Sequence, residues 1–283
     1  MRRRCFVALV GSVCMSLFLP MGLLVALPNI FLKKIHRRHD LSRTQYDNLN
    51  CSVSLSAEHT HPIVALASFP GSGNTWLRHL LELSTGIYTG SVFHSKILYT
   101  NGFIGEYEDY TLGTTLTVKI HGNYMKDFQA AILLIRDPYK SLIAEYNRRM
   151  AGKTGTASMS DFFSEGWNQY LNERAPVWET HVLHWLSIEK PLLVIDYLSL
   201  KEDTIGEMSK ITEFLKTGMT DTRRQCLLKD MSGSFHREGQ KSVPDDPFTA
   251  DMHLQIEGYI ANVNDRLKQL HLPPLRREFS VTT

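Results

Sequence analysis

The run Ile63-Val64-Ala65-Leu66-Ala67-Ser68-Phe69-Pro70-Gly71-Ser72-Gly73-Asn74-Thr75-Trp76 decides how the rest of the chain is read. Its first five residues are continuously apolar, the pattern of a parallel strand buried on both faces. The segment from Trp76 to Leu83 places its apolar residues at helical spacing. A strand, a Gly-rich turn and a helix start together form a cradle for an anionic phosphate. Gly71 and Gly73 free the backbone N–H groups to turn inward, and the helix dipole adds positive potential. No Lys precedes Thr75, so the pattern GxxxxGK[ST] of nucleoside triphosphatases is not met. The turn therefore predicts a site for a 5′-phosphate without a triphosphate tail, and it argues against a nucleotide kinase.

Downstream the same alternation continues. Residues 115–120 and 130–135 read as strands, and a helix follows from about 138 to 150. Gly152 and Gly155 break it. Pro176 is expected to open another helix, with Trp178, Val182 and Trp185 on one side. Leu192-Leu193-Val194-Ile195 is a further buried strand, and helices are expected near 201–216, 222–229 and 251–270. Apolar strands alternating with helices predict an α/β fold, a P-loop-like three-layer sandwich with a central, mostly parallel sheet. Residues 86–112 are looser and rich in aromatic side chains, including Tyr88, Phe93, Tyr99, Phe103, Tyr107 and Tyr110.

Upstream, residues 5–32 carry no charged side chain. A helix spans a bilayer with about 20 apolar residues, so this run is long enough. A cleaved signal peptide is the competing reading, but its apolar region is shorter, roughly 7–15 residues. The expected organisation is a cytoplasmic tail at 1–4, a transmembrane signal anchor at 5–32, a lumenal stem at 33–60 and a globular domain at 61–283. The stem contains the glycosylation pattern Asn50-Cys51-Ser52. Of four cysteines, Cys51 and Cys226 lie outside the apolar segment and are either a disulfide pair or two free thiols. The 283 residues carry a formal charge of only +2, which gives no footprint for a nucleic-acid partner. No Cys/His cluster has zinc spacing, so no metal is expected.

Four further motifs stand at ends of these elements. Arg136 closes the strand 130–135 and is followed by Asp137-Pro138-Tyr139-Lys140-Ser141. A guanidinium there can fork onto a phosphate. Lys119 and His121 close the strand 115–120 as Val118-Lys119-Ile120-His121-Gly122, where an imidazole can serve as a general base. Ser234-Phe235-His236-Arg237-Glu238-Gly239 precedes Asp246-Pro247-Phe248-Thr249 and the last helix. Trp178-Glu179-Thr180-His181-Val182 leads to Trp185.

Taken together these motifs resemble the sulfotransferases that use 3′-phosphoadenosine 5′-phosphosulfate (PAPS), over roughly residues 62–272. They are most similar to the WSC-domain-containing branch, Golgi type II proteins associated with sialic acid sulfation. The resemblance implies a PAPS-dependent sulfotransferase in the Golgi membrane with its catalytic domain in the lumen. It implies a cofactor site of Gly71, Ser72, Gly73, Asn74, Thr75, Trp76, Arg136, Ser141, Tyr197, Phe235, His236, Arg237 and Gly239. Within it the turn takes the 5′-phosphosulfate, Arg136 and Arg237 take the 3′-phosphate, and Trp76, Tyr197 and Phe235 frame the adenine. His121 is the implied base and Lys119 steadies the sulfuryl charge, with Glu82 and Glu106 in reserve as bases. The implied acceptor is a glycan, on a sialylated glycoprotein or glycolipid.

The chain departs from the wider family at three places. Gly71 stands where a Lys or Arg is usual, Glu238 replaces a Lys, and Ala144 stands where a Ser usually meets the 3′-phosphate, which leaves Ser141 as its substitute. The Cys-rich WSC modules have no counterpart in residues 33–60. The rival expectation from another class is a non-catalytic, membrane-anchored glycan- or nucleotide-binding protein.

Overall fold

The computed structural model describes residues 50–122, 126–152, 155–234 and 245–279. The expected membrane anchor and cytoplasmic tail, most of the stem, and Phe235, His236, Arg237 and Gly239 lie outside these residues. No helix among the described residues is long and apolar enough to cross a membrane.

Five strands form one parallel sheet: β1 (Val64–Ser68), β2 (Gly90–Ser91), β3 (Val118–Ile120), β4 (Ala130–Ile135) and β5 (Leu192–Asp196), in the order β2-β3-β1-β4-β5. The helices are α1 (Asn74–Thr85), α2 (Lys96–Thr100), α3 (Pro138–Ala151), α4 (Glu165–Trp185), α5 (Tyr197–Glu202), α6 (Thr204–Phe214), α7 (Asp221–Lys229) and α8 (Ala250–Gln269). Successive strand side chains point to opposite faces, so each continuous apolar run serves two cores. Val64, Leu66, Ile132 and Leu134 pack against Leu77, Leu80 and Leu81 of α1, Met208 and Ile211 of α6, and Leu227 of α7. Ala65, Ala67, Ala131, Leu133 and Ile135 face the other way, toward α3, α4 and α8. The result is the expected three-layer P-loop-like sandwich.

Three boundaries differ from expectation for identifiable reasons. β3 starts at Val118 rather than Thr115: with Ala65 opposite Val118, residues 115 and 116 lie beyond the start of β1 at Val64. Pro176 lies inside α4 and does not open it. A proline in a helix interior costs about 3 kcal/mol, and tertiary bonds on either side hold α4 continuous. The indoles of Trp167, Trp178 and Trp185 donate to the carbonyls of Pro247, Arg136 and Gly122, and all three side chains are buried. The helix expected at 201–216 is two, α5 and α6, divided at Asp203, whose carboxylate caps the second by accepting from the Gly206 N–H. The stretch 86–112 contains β2, α2 and two short 3-10 turns (Ile104–Tyr107 and Tyr110–Leu112).

Cys51 and Cys226 form a disulfide that ties the segment before β1 to α7. Along the same seam Arg223 donates to the Ser52 carbonyl at 2.8 Å.

Candidate active site

The strand register sets the site. Ala67 stands opposite Ile120, Ser68 opposite Leu134, and Ile135 opposite Asp196. The residues that follow these ends are therefore neighbours along one sheet edge, in the order His121, the turn 69–73, Arg136 and Tyr197. From β1 the chain goes to the edge strand β2 and returns through β3 on one side, then crosses to β4 and β5 on the other, and such a switch point is where open α/β sheets bind ligands.

The turn is shaped by two glycines in left-handed backbone. Gly71 has φ +85°, and a Cβ there would lie 2.3 Å from the Ser141 carbonyl oxygen and 2.9 Å from the Glu145 nitrogen. The usual family cation is thus excluded by the close approach of α3, not merely missing. Gly73 has φ +94° and precedes α1; a Cβ there would lie 2.7 Å from the Tyr197 ring. Ser72 and Ser141 are buried with their hydroxyls 3.2 Å apart, and Ser141 also reaches the Arg136 carbonyl. Ser141 therefore links the turn to the backbone of Arg136. Asn74 is buried too, and its amide donates to the Leu66 carbonyl and to Ser68 Oγ, away from the turn. Thr75 and Trp76 line a small pocket with His79, Phe103 and residues 232–234.

Trp76 and Tyr197 meet edge to face at 5.7 Å between ring centroids, and the Trp76 indole donates to the Met231 carbonyl. Arg136 lies over the Tyr197 ring at 4.1 Å and donates to the Gly71 carbonyl at 3.1 Å. Its Nε and Nη2 both bond the carboxylate of Glu278, at 2.7 and 3.2 Å.

On the other side of the turn, His121 Nδ1 lies 2.8 Å from the Ser68 carbonyl oxygen. A carbonyl only accepts, so Nδ1 carries the proton and Nε2 is the acceptor nitrogen of the neutral ring. Burial and the Lys119 ammonium hold His121 well below the ordinary imidazole range. The ring sits 5.3 Å from that of Phe93, which also lies 5.7 Å from Lys119 Nζ. Of the aromatic residues in 86–112, Tyr88 and Phe103 are core, whereas Phe93 is half exposed beside His121.

The reserve carboxylates are not available as bases. Glu106 is fully buried in an ion pair with Arg78, and Glu82 is buried and accepts from the Thr89 N–H and hydroxyl. Burial pushes Glu82 up to about 6 despite Arg78 and these bonds. Both glutamates brace α1 against the 86–112 segment.

Two residues of α4 complete this side. His181 is buried, its Nε2 has no hydrogen-bond partner, and burial lowers it to about 4. Arg174 stacks on the ring of Phe69 at 5.4 Å, its Nε is unpartnered, and no carboxylate pairs with it among the described residues. The positive charge of Arg148 is felt at His121, and that of Arg174 at His181. In the sequence Arg174 is a cation at helical spacing between Leu171 and Trp178, a pattern visible only when the helix extends upstream of Pro176. Glu278 and the Ser68 carbonyl left no local signal. No cluster of three or more metal-ligating side chains occurs among the described residues.

A sheet switch point with a phosphate-type turn, a neutral histidine and flanking cations defines a group-transfer site, and the sulfotransferase domain family matches residues 116–247. WSCD family member GA21586 of Drosophila pseudoobscura pseudoobscura is 36% identical over 222 residues, 76% of this chain and 69% of that protein. WSCD family member CG9164 of Drosophila melanogaster is 34% identical over 219 residues, 75% and 68% of the two chains. The chain belongs to the WSCD family and carries a sulfotransferase domain. Among solved structures, mouse sulfotransferase SULT7A1 complexed with PAP aligns over 75% of this chain and 86% of that one, at 18% identity and a TM-score of 0.49.

Proposed function

We propose that this protein transfers a sulfuryl group from PAPS to a hydroxyl of a glycan acceptor. The observation that carries the reading is His121: its Nδ1 proton is committed to the Ser68 carbonyl, which leaves Nε2 as the basic nitrogen of the ring, one residue past β3 and beside the phosphate-type turn. PAPS would supply an activated sulfuryl group. The Ser72 N–H closes the turn onto the Phe69 carbonyl at 3.2 Å; the N–H groups of residues 73–75 would hold the 5′-phosphosulfate of PAPS, and Trp76 and Tyr197 would flank its base. His121 Nε2 would take the proton of the acceptor hydroxyl. Lys119, buried beside His121, would balance negative charge on the transferring group, the duty that Gly71 cannot carry. An anionic donor bound nearby favours the charged imidazole, which brings a depressed base back toward neutral range.

An acidic sugar, sialic acid in particular, is the acceptor we favour. Its support is Arg174, a half-buried guanidinium without a carboxylate partner among the described residues. A monosaccharide carboxylate matches that fork. Placement in the Golgi lumen, behind an N-terminal signal anchor, draws on the apolar run 5–32, on the exposed Asn50 of the glycosylation pattern and on the Cys51–Cys226 disulfide, a bond of oxidising compartments. A binding protein without turnover is the second reading, favoured by the steric exclusion of a cation at Gly71.

The full-length chain, given sulfur-labelled PAPS with a sialylated glycoprotein and its desialylated twin, separates these readings. Label on the sialylated protein alone is expected. Label on both rejects sialic acid as the sole target, and label on neither favours the binding protein.

A further inference from the structure

The carboxylate of Glu278 occupies the edge of Arg136 best suited to an oxyanion. Parallel bonds from Nε and Nη2, at 2.7 and 3.2 Å, are the geometry by which a guanidinium grips either a carboxylate or a phosphate. The rest of the guanidinium is also engaged: Nη1 donates to the Gly71 carbonyl and one face covers the Tyr197 ring. A phosphate and Glu278 cannot share that edge, and their charges repel.

The C-terminal strap that presents Glu278 is fastened on both sides of it. Asp137 accepts from the N–H groups of Glu278 and Phe279, at 2.8 and 3.0 Å. The Phe279 ring stacks on Tyr139, and Arg277 pairs with Glu257. Leu275 is buried, and its N–H donates to Asn264. The Glu278 side chain itself is held, among the described residues, by Arg136. It can therefore swing away from Arg136 by rotation about its own bonds while the strap stays in place.

Resting on the reading of Arg136 as the 3′-phosphate ligand, we propose that Glu278 is a built-in competitor of the cofactor's 3′-phosphate and so sets the affinity for PAPS and for the product nucleotide. Cofactor binding would transfer the Arg136 fork from carboxylate to phosphate. Product release would be assisted by the return of Glu278 to the same edge.

Calorimetric titration of the full-length chain with 3′-phosphoadenosine 5′-phosphate, and with adenosine 5′-phosphate, tests this. Glu278→Gln keeps the shape and removes the charge; Glu278→Ala removes both, and melting curves identify any variant that has lost its fold. The expected result is about tenfold tighter binding of the bisphosphate by Glu278→Gln and Glu278→Ala, because the competing anion is gone. Binding of adenosine 5′-phosphate should not change. Unchanged or weaker bisphosphate binding would overturn the proposal and make Glu278 the orienter of Arg136. An equal gain for both nucleotides would overturn it as well, as a general charge effect. If wild type and folded variants all fail to bind the bisphosphate, the nucleotide reading itself fails and the proposal with it.

Discussion

At the scale of single residues, the site is governed by which atoms are already committed. His121 gives its Nδ1 proton to a main-chain carbonyl, so the ring's other nitrogen is free of ambiguity as the acceptor. Gly71 is committed sterically. A lysine there looks like the repair that would restore the usual family cation, but the left-handed backbone and the α3 backbone 2.3 Å from a Cβ forbid it. Gly71→Lys should therefore lower stability by about 2 kcal/mol or more and should not raise turnover. Denaturant unfolding together with a sulfuryl-transfer assay checks both halves; a stable variant with higher turnover would show that α3 yields.

At the scale of elements, α4 shows where sequence patterns stop being sufficient. The apolar runs at 63–67 and 130–135 gave β1 and β4 nearly to the residue because burial on both faces leaves no other structure for them. The residues after their carboxyl ends, the turn 69–73 and Arg136, share one sheet edge with His121, which follows β3. Pro176 misled because a local rule for helix starts was overruled by three indole hydrogen bonds between distant segments. With α4 begun too late, Arg174 fell outside it. The partner of Arg136 lay 142 residues away in the chain, beyond any periodicity.

The same helix carries a pH signature. His181 is lowered to about 4 by burial, against about 6.5 in the unfolded chain. Between those values the unfolded state binds the extra proton. The stability that the neutral ring contributes is thus complete above pH 6.5 and is lost as pH falls toward 4, by about 3 kcal/mol in all. Urea unfolding between pH 7 and 4.5 should show this slope, and His181→Gln should flatten it. An unchanged slope in the variant would assign the acid sensitivity elsewhere.

At the scale of the whole molecule, two cores on either side of a five-stranded sheet hold the site edge, and one covalent tie closes the chain around them. The Cys51–Cys226 bond spans 175 residues. Loop-closure entropy for so long a loop predicts about 5 kcal/mol of stabilisation, with about 2–4 kcal/mol typical in practice. Cys226→Ser should lower the unfolding free energy by an amount in that range. Reducing agent should destabilise the wild type to the same degree and leave the variant unchanged. A reductant effect on both would mean that the bond is not the one that matters.

The central claim is that His121 takes the acceptor proton in a sulfuryl transfer. It is tested most directly by comparing wild type and His121→Ala in two readouts on the same preparations: transfer of labelled sulfur from PAPS to the sialylated acceptor, and affinity for 3′-phosphoadenosine 5′-phosphate. Turnover is expected in wild type and its loss in His121→Ala, with the nucleotide affinity of the variant within a few-fold of wild type. Undiminished turnover in His121→Ala would contradict it.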